Sequence, residues 1–80
     1  MDCSLNELKL NDYGSICGID TDNITKERLE SLGIIPGMKI SPVFETPLRS
    51  PIVYQCLNTM IALREDISSK IRIRLGGQNE

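Results

Sequence analysis

The sequence predicts one small, mainly β domain: a partly open barrel of about five short strands with one α-helix and short helical turns. The chain has 80 residues, enough for a single core and too few for two. With 40% apolar residues, its composition is that of a folded protein. Only one stretch has helical spacing, and the segments after it are short strands separated by turn residues.

Before the helix, the sequence predicts a helical turn and one strand. Ser4 followed by Glu7 has the spacing of a capping box, so a turn begins there and folds its leucines onto the core. A short strand follows at residues 15–19, and Gly18 within it marks a bulge or a close contact.

The helix is predicted over residues 24–32. Residues 20–23 superficially resemble the start of a calcium loop, but an apolar residue occupies the next ligand position. We therefore interpret these polar residues as the helix cap. The side chains expected to face the core are Ile24, Leu29 and Leu32.

The end of the helix is well specified. Gly33 can adopt the left-handed conformation that ends a helix, and Ile34 can then pack back on Leu29 as in a Schellman motif. Pro36 prevents the helix from resuming, and Gly37 completes the turn into the next strand.

The periodicity after Gly37 is that of strands. Residues 38–44 form a strand that Pro42 interrupts, which predicts an edge or a bulge. Residues 47–51 form a loop between two prolines. The later elements are a hairpin of residues 52–57 and 60–64 turning at Asn58 and Thr59, a helical turn at 64–69, a strand at 70–75 with Ile71, Ile73 and Leu75 facing inward, and a polar, flexible tail at 76–80.

The composition excludes several classes of function. The net charge is −2 and the isoelectric point is about 5.0, whereas a free-standing nucleic-acid binder is usually basic. Histidine is absent, which removes the commonest general base and the commonest neutral metal ligand. We expect no catalytic residues, no cofactor and no metal site from Cys3, Cys17 and Cys56, whose spacing fits neither a zinc site nor a secreted disulfide framework.

Two features of the last strand have alternative interpretations. Lys70, Arg72 and Arg74 form a basic stripe, which we interpret as a solvated face rather than a phosphate site. Residues 73–77 look like the tail of a ubiquitin-like modifier, but such a fold places a hairpin before its helix. The N-terminus resembles no signal peptide and no segment could span a membrane, so we expect a cytoplasmic protein.

Residues 28–38 are similar to the signature of the FeoA family, the small cytoplasmic partners of bacterial ferrous-iron uptake. That family shows R-L-x-x-L-G-hydrophobic-x-P-G, then a strand and a loop of the form A-P-L-G-D-P. Here the loop at residues 46–51 keeps both prolines and the leucine, and residues 61–64 match an L-A-L-R-like segment. The resemblance covers residues 4–75, including Leu5, Leu8 and Gly18.

The resemblance implies an SH3-like barrel without enzymatic activity that acts with FeoB, a membrane permease carrying a cytoplasmic GTP-binding domain. It assigns residues 1–75 to one FeoA-like domain. Arg49 and Ser50 replace the family's usual G-D, and Asn58 stands where many members have glycine. The residues that carry its structural motifs are Leu32, Gly33, Pro36, Gly37 and Asn58.

The candidate partner-binding residues lie in the proline-braced loop and on the helix. They are Pro47, Leu48, Arg49 and Pro51 in the loop, with Arg28 and Leu29 on the helix. The opposing interpretation is that Leu48 plugs the end of the barrel and Leu29 belongs to the core. Alternative functions are a generic SH3-like adaptor, an iron carrier or sensor, and the detached C-terminal domain of an iron-dependent repressor related to the diphtheria-toxin repressor.

Overall fold

An antiparallel sheet of six strands forms the body of the molecule in the computed structural model, which describes residues 2–48 and 50–76. The strands are β1 Asp2–Ser4, β2 Gly14–Ile19, β3 Lys39–Glu45, β4 Ile52–Cys56, β5 Thr59–Leu63 and β6 Ile71–Leu75. Their order across the sheet is β1-β6-β2-β3-β4-β5. Helix α1 spans Asn23–Ser31, a single turn α2 spans Glu65–Ser68, and a 3-10 turn spans Leu5–Glu7. The mainly β prediction is confirmed, with β1 as an additional strand.

One apolar cluster on the inner face of the sheet forms the core. Each of β2 to β6 contributes to it, and so do the 3-10 turn and the end of α1. The predicted burial of Leu5 and Leu8 is confirmed. The buried members are Leu5, Leu8, Ile16, Ile19, Leu29, Ile34, Ile40, Ile52, Tyr54, Cys56, Leu63, Ile71 and Ile73.

Helix α1 begins where its cap was predicted, but it buries a narrower stripe than expected. The Asp22 carboxylate accepts a hydrogen bond from the Thr25 N–H at 3.3 Å, and hydrogen bonds from Thr25 lower the pKa of Asp22. Leu29 is 4% exposed, whereas Ile24 is 71% exposed and Leu32 is also exposed. The prediction was wrong for these two: Ile24 lies about 140° around the helix from Leu29, and Leu32 is the C-cap residue beyond the last turn.

The end of α1 is the predicted Schellman motif. Gly33 has a φ of 95°, and its N–H donates to the Glu30 carbonyl at 3.0 Å. The Ile34 N–H donates to the Leu29 carbonyl at 3.0 Å, and the Ile34 side chain is fully buried. Gly37 also has a positive φ, of 96°. The predicted packing of Ile34 at the end of the helix is therefore confirmed, whereas Leu32 is exposed.

We expect Gly33→Val to lower the free energy of unfolding by about 1–3 kcal/mol. A Cβ at Gly33 would meet nothing within 4 Å, so the cost comes from the left-handed backbone rather than from a clash. Gly33→Asn should cost less, because asparagine tolerates positive φ better than valine does. Chemical denaturation of both variants checks this, and equal midpoints for valine, asparagine and glycine would contradict it.

Two bulges interrupt the ladders of the sheet. In β2 the register shifts between Ile16 and Gly18, as predicted for that position. In β3 it shifts between Pro42 and Phe44, which makes Val43 the additional residue. Strand β3 pairs with β2 only through Lys39 and Ile40, so the missing N–H of Pro42 interrupts no ladder on that side.

The β4–β5 turn lies one residue earlier than predicted. Cys56 pairs with Thr59, so the turn residues are Leu57 and Asn58, and the left-handed residue is Leu57 with a φ of 58°. Burial of alternate residues in β4 sets this register, because a slip by one residue would turn the buried side chains to solvent. Asn58 does not have the positive-φ role expected for it.

The last strand confirms two of its three predicted inward residues. Ile71 and Ile73 are fully buried, but Leu75 is exposed. Leu75 pairs with Gly14 in the last residue pair of the β2–β6 ladder, and glycine has no side chain to cover it. The Gly76 N–H donates to the Tyr13 carbonyl at 2.9 Å; the rest of the predicted tail, residues 77–80, lies outside the described residues.

Candidate partner-binding surface

The loop at residues 46–51 connects β3 to β4 and presents its leucine to solvent. Leu48 is 87% exposed, more than any other large apolar side chain among residues 2–48 and 50–76. The interpretation that Leu48 plugs the barrel is therefore wrong. Pro47 is exposed and Pro51 is half-buried, while Arg49 lies outside the described residues.

Hydrogen bonds fix the far side of this loop to α2. The Glu65 N–H, at the start of α2, donates to Ser50 Oγ at 3.3 Å. Asn6 Nδ2 in the 3-10 turn donates to Glu65 Oε2 at 3.3 Å. The second half of the loop is thus held to α2, and α2 is held in turn to the 3-10 turn. Leu48, in the first half of the loop, lies at the surface.

A row of apolar side chains crosses the outer face of the sheet near this loop. Phe44 pairs with Val53, and Val53 pairs with Ala62 on the next strand. Met60, two residues before Ala62, faces the same side. We call Phe44, Val53, Met60 and Ala62 the apolar strip; within it Phe44 is 59% and Met60 is 63% exposed.

The β3 bulge is the reason that Phe44 belongs to the apolar strip. Ile40 and Pro42 are buried, so an unbroken alternation would turn Phe44 inward as well. The additional residue Val43 reverses that alternation, and Phe44 lies on the outer face. Sequence reasoning overlooked this residue because its orientation depends on the bulge.

The sequence does contain a signal that Met60 and Ala62 form an apolar surface. The run of residues 60–63 is apolar throughout, whereas a strand with one solvated face alternates in polarity. Continuous apolarity in a short strand is typical of a strand that is buried on both faces. In the described structure the inner face of β5 meets the core and the outer face is bare.

The helix residues predicted for the partner surface lie elsewhere. Leu29 is buried in the core, so only Arg28 of that pair is exposed. The Cys56 thiol donates to the Gly33 carbonyl at 3.5 Å, which places the end of α1 beside the last residue of β4. The loop precedes the first residue of β4, so the two predicted surfaces lie at opposite ends of that strand.

The basic stripe lies on the outer face of the opposite half of the sheet. Arg72 and Arg74 alternate with buried isoleucines on β6, and Lys39 reaches the same face from β3. Arg74 Nε lies 3.8 Å from Asp2 Oδ1, with both side chains well exposed, so this ion pair contributes little stability. Lys39 Nζ lies 4.4 Å from the centre of the Tyr13 ring.

A shallow groove of about 410 Å³ separates the residue 10–13 segment from β3. It lies where β3 no longer pairs with β2. Leu10, Tyr13 and Val43 expose apolar surface along it, and Asp12 and Lys39 supply opposite charges. Its mixed lining and open shape suit contact with a protein segment better than enclosure of a small molecule.

The cysteines do not assemble a metal centre. Among residues 2–48 and 50–76, no group of three or more Cys, Asp or Glu side chains is placed to hold a metal ion. Burial, aided by Glu7 and Asp2, raises the pKa of Cys3, and burial raises the pKa of Cys56. Cys3 and Cys17 lie on strands that flank β6, about 10 Å apart, too far for a disulfide.

None of the helices in the described part of the chain is long and apolar enough to cross a membrane.

Comparison with known proteins gives a consistent result. The family model for the FeoA domain matches residues 3–75. A Fe(2+) transport protein A/Fe(2+) transporter FeoB fusion protein of Porphyromonas gingivalis is 28% identical over 75 residues. The match covers 94% of this chain and 9% of the fusion protein, so this chain corresponds to a small part of that relative.

Solved structures share the fold. The FeoA protein from Chlorobium tepidum superposes with a TM-score of 0.88 at 25% identity, over 96% of this chain and 73% of that one. Stenotrophomonas maltophilia FeoA, described as an SH3 domain protein complexed with zinc, gives a TM-score of 0.78 at 23% identity, over 89% of this chain and 88% of that one. The fold is therefore SH3-like, as expected. A manganese-dependent transcriptional repressor shares it at a TM-score of 0.84 and 16% identity, over 94% of this chain and 41% of the repressor.

Proposed function

Because the chain belongs to the FeoA family, whose members take part in ferrous iron transport, we propose that it is a non-enzymatic accessory protein that binds an FeoB-like permease. It acts in the cytoplasm and is recruited to the inner face of the membrane by that partner. Its binding modulates the permease, which carries a cytoplasmic GTP-binding domain.

The observation that carries this proposal is the fusion relative. In the Porphyromonas gingivalis protein, a segment similar to this chain and an FeoB transporter form one polypeptide. Covalent linkage raises the local concentration of one domain beside the other, which is an advantage when the two must bind each other. The same association between separate chains requires an exposed interface on the small partner.

A binding role fits the surface chemistry of the chain. The sequence has no histidine and so lacks the commonest general base. The loop at residues 46–51 is held by its two prolines and by the hydrogen bond from the Glu65 N–H to Ser50. A restricted loop loses little conformational entropy when a partner orders it further. We assign the interface to this loop, centred on Leu48, together with the neighbouring apolar strip.

Direct binding to the permease tests the proposal. Full-length FeoB from the same organism is reconstituted in lipid nanodiscs, and the tagged chain is titrated against it by biolayer interferometry. We expect saturable binding to FeoB discs and none to empty discs. No saturable binding to FeoB discs up to about 100 µM, with and without GTP, would contradict the proposal.

A further inference from the structure

Strand β5 is an open edge of the sheet. Among the described residues its one strand neighbour is β4, and Cys56 with Thr59 closes the hairpin between them. With a two-residue turn, the hydrogen-bonding groups of Thr59, Ile61 and Leu63 face β4. The N–H and C=O groups of Met60 and Ala62 therefore point away from β4, and no described strand pairs with them.

This edge lacks the features that protect the other free edges of the sheet. Strand β1 has three residues and carries Asp2. The part of β3 beyond its pairing with β2 contains Pro42 and the Val43 bulge. Short length, charge, proline and bulges each prevent a further strand from pairing.

In contrast, β5 has no charged residue, no proline and no bulge in its ladder with β4. The side chains of Met60 and Ala62, on the outer face of the sheet, are exposed. An unguarded apolar edge strand of this kind is a template for another strand.

We propose that β5 is the contact between two copies of this chain, which pair antiparallel about a twofold axis through Ile61. In this register Met60 of each copy lies opposite Ala62 of the other. All four outward N–H groups then donate to the outward C=O groups of the other copy, which gives four hydrogen bonds. The single sheet becomes continuous across both copies.

In this register the paired side chains are complementary in size, and no charged residue faces another. A long methionine meets a small alanine twice on the outer face, and Ile61 meets its own copy on the inner face. Arg64, the first charged residue after β5, lies opposite the neutral Asn58. Strand β5 carries no charge, so no like charges meet along the paired strands.

The expected dimer is weak. A pair of five-residue edge strands buries less than the roughly 1,200 Å² typical of stable complexes. Dimerisation is therefore concentration-dependent, with half-association on the order of 10–1,000 µM. It does not depend on the proposed FeoB partner and is tested without it.

Sedimentation equilibrium of the full chain over about 10–1,000 µM measures the association. Ala62→Pro removes an outward N–H, and proline is tolerated on an edge strand whose N–H faces solvent. Met60→Lys adds a charge at the edge. Each variant should weaken dimerisation at least about tenfold. Gln55→Lys is the matched control, because Gln55 pairs with Met60 on the same face but lies on the interior strand β4.

A disulfide measurement tests the register. In a Cys17→Ser background, Ile61→Cys places two thiols in a non-hydrogen-bonded pair with Cα atoms about 4.5 Å apart, within disulfide reach. Mild oxidation should give a dimer with position 61 linked to position 61 of the other copy. Circular dichroism verifies that each variant folds. If Ala62→Pro does not fold, Met60→Lys alone tests the contact.

A chain that remains monomeric throughout this range would overturn the proposal. A dimer that both edge variants leave unchanged, or that Gln55→Lys weakens equally, would also overturn it, because the contact would then lie elsewhere. A monomer that binds an extended peptide of another protein along β5 would likewise replace the second copy as the occupant.

Discussion

Gly14→Ala should destabilise the domain by about 2–3 kcal/mol, whereas Gly18→Ala, on the same strand, should be nearly neutral. A Cβ at Gly14 would collide with Cγ2 of Ile73 and would lie 2.8 Å from the Arg74 carbonyl oxygen. The carbonyl belongs to β6, which is held between β1 and β2 and has no room to withdraw. Ile73 is fully buried, so its side chain has little space to move.

Thermal and chemical denaturation measure this difference. In a domain of this size, the expected loss lowers Tm by roughly 10–20 °C. Gly18 is the matched control, because a Cβ there would meet only Arg72 Cδ, at 3.8 Å, and neither glycine has a positive φ. Equal Tm values for the two alanine variants would show that the β2–β6 packing at Gly14 is looser than the structure indicates.

Leu48→Ala combined with Arg49→Ala should weaken binding to the FeoB permease by 2 kcal/mol or more, roughly thirtyfold. The side chain of Leu48 is 87% exposed, so its truncation removes apolar contact with the partner and little from the core. The melting temperature of the double variant should remain close to that of the parent. Titration against FeoB nanodiscs measures the affinity, and circular dichroism measures the stability.

Leu57→Ala is the control for this experiment. Leu57 is another exposed leucine, but it lies in the β4–β5 turn, at the other end of β4 from the loop. Its truncation should leave the affinity for the permease within about twofold of the parent. Normal binding by the loop variant together with weakened binding by Leu57→Ala would move the interface to the turn end of the sheet.

The features predicted correctly from the sequence depend on residues close together in the chain. Gly33 and Ile34 form the helix stop within two adjacent positions, and Asp22 caps the helix three residues before Thr25. The alternation of Ile71 and Ile73 in β6 is likewise a local pattern. Such features need only backbone preferences and periodicity.

The features that the sequence left open depend on pairing between distant residues. Strand β1 exists because Cys3 pairs with Ile73, seventy positions later, and three residues have no readable period. The turn position at Leu57 follows from the register of β4 against β5. Ile24 was expected in the core because it is apolar, but its position around α1 leaves it exposed to solvent.

The candidate surface was only half predictable for the same reason. The two prolines identified the loop, but whether Leu48 turned inward or outward depended on how the barrel end closes. Phe44 belongs to the apolar strip only because of the Val43 bulge, and strict alternation of inward and outward residues does not predict a bulge. The candidate surface thus depends on tertiary structure more than the core does.

The pairing of β1 with β6 brings the first and last strands of the domain side by side. Asp2 pairs with Arg74, so the two strand ends are about one strand spacing apart, at the opposite end of the strand order from β5. A domain with adjacent ends can be inserted into a loop of a host protein through two closely spaced junctions, or circularly permuted, with little disturbance of its core.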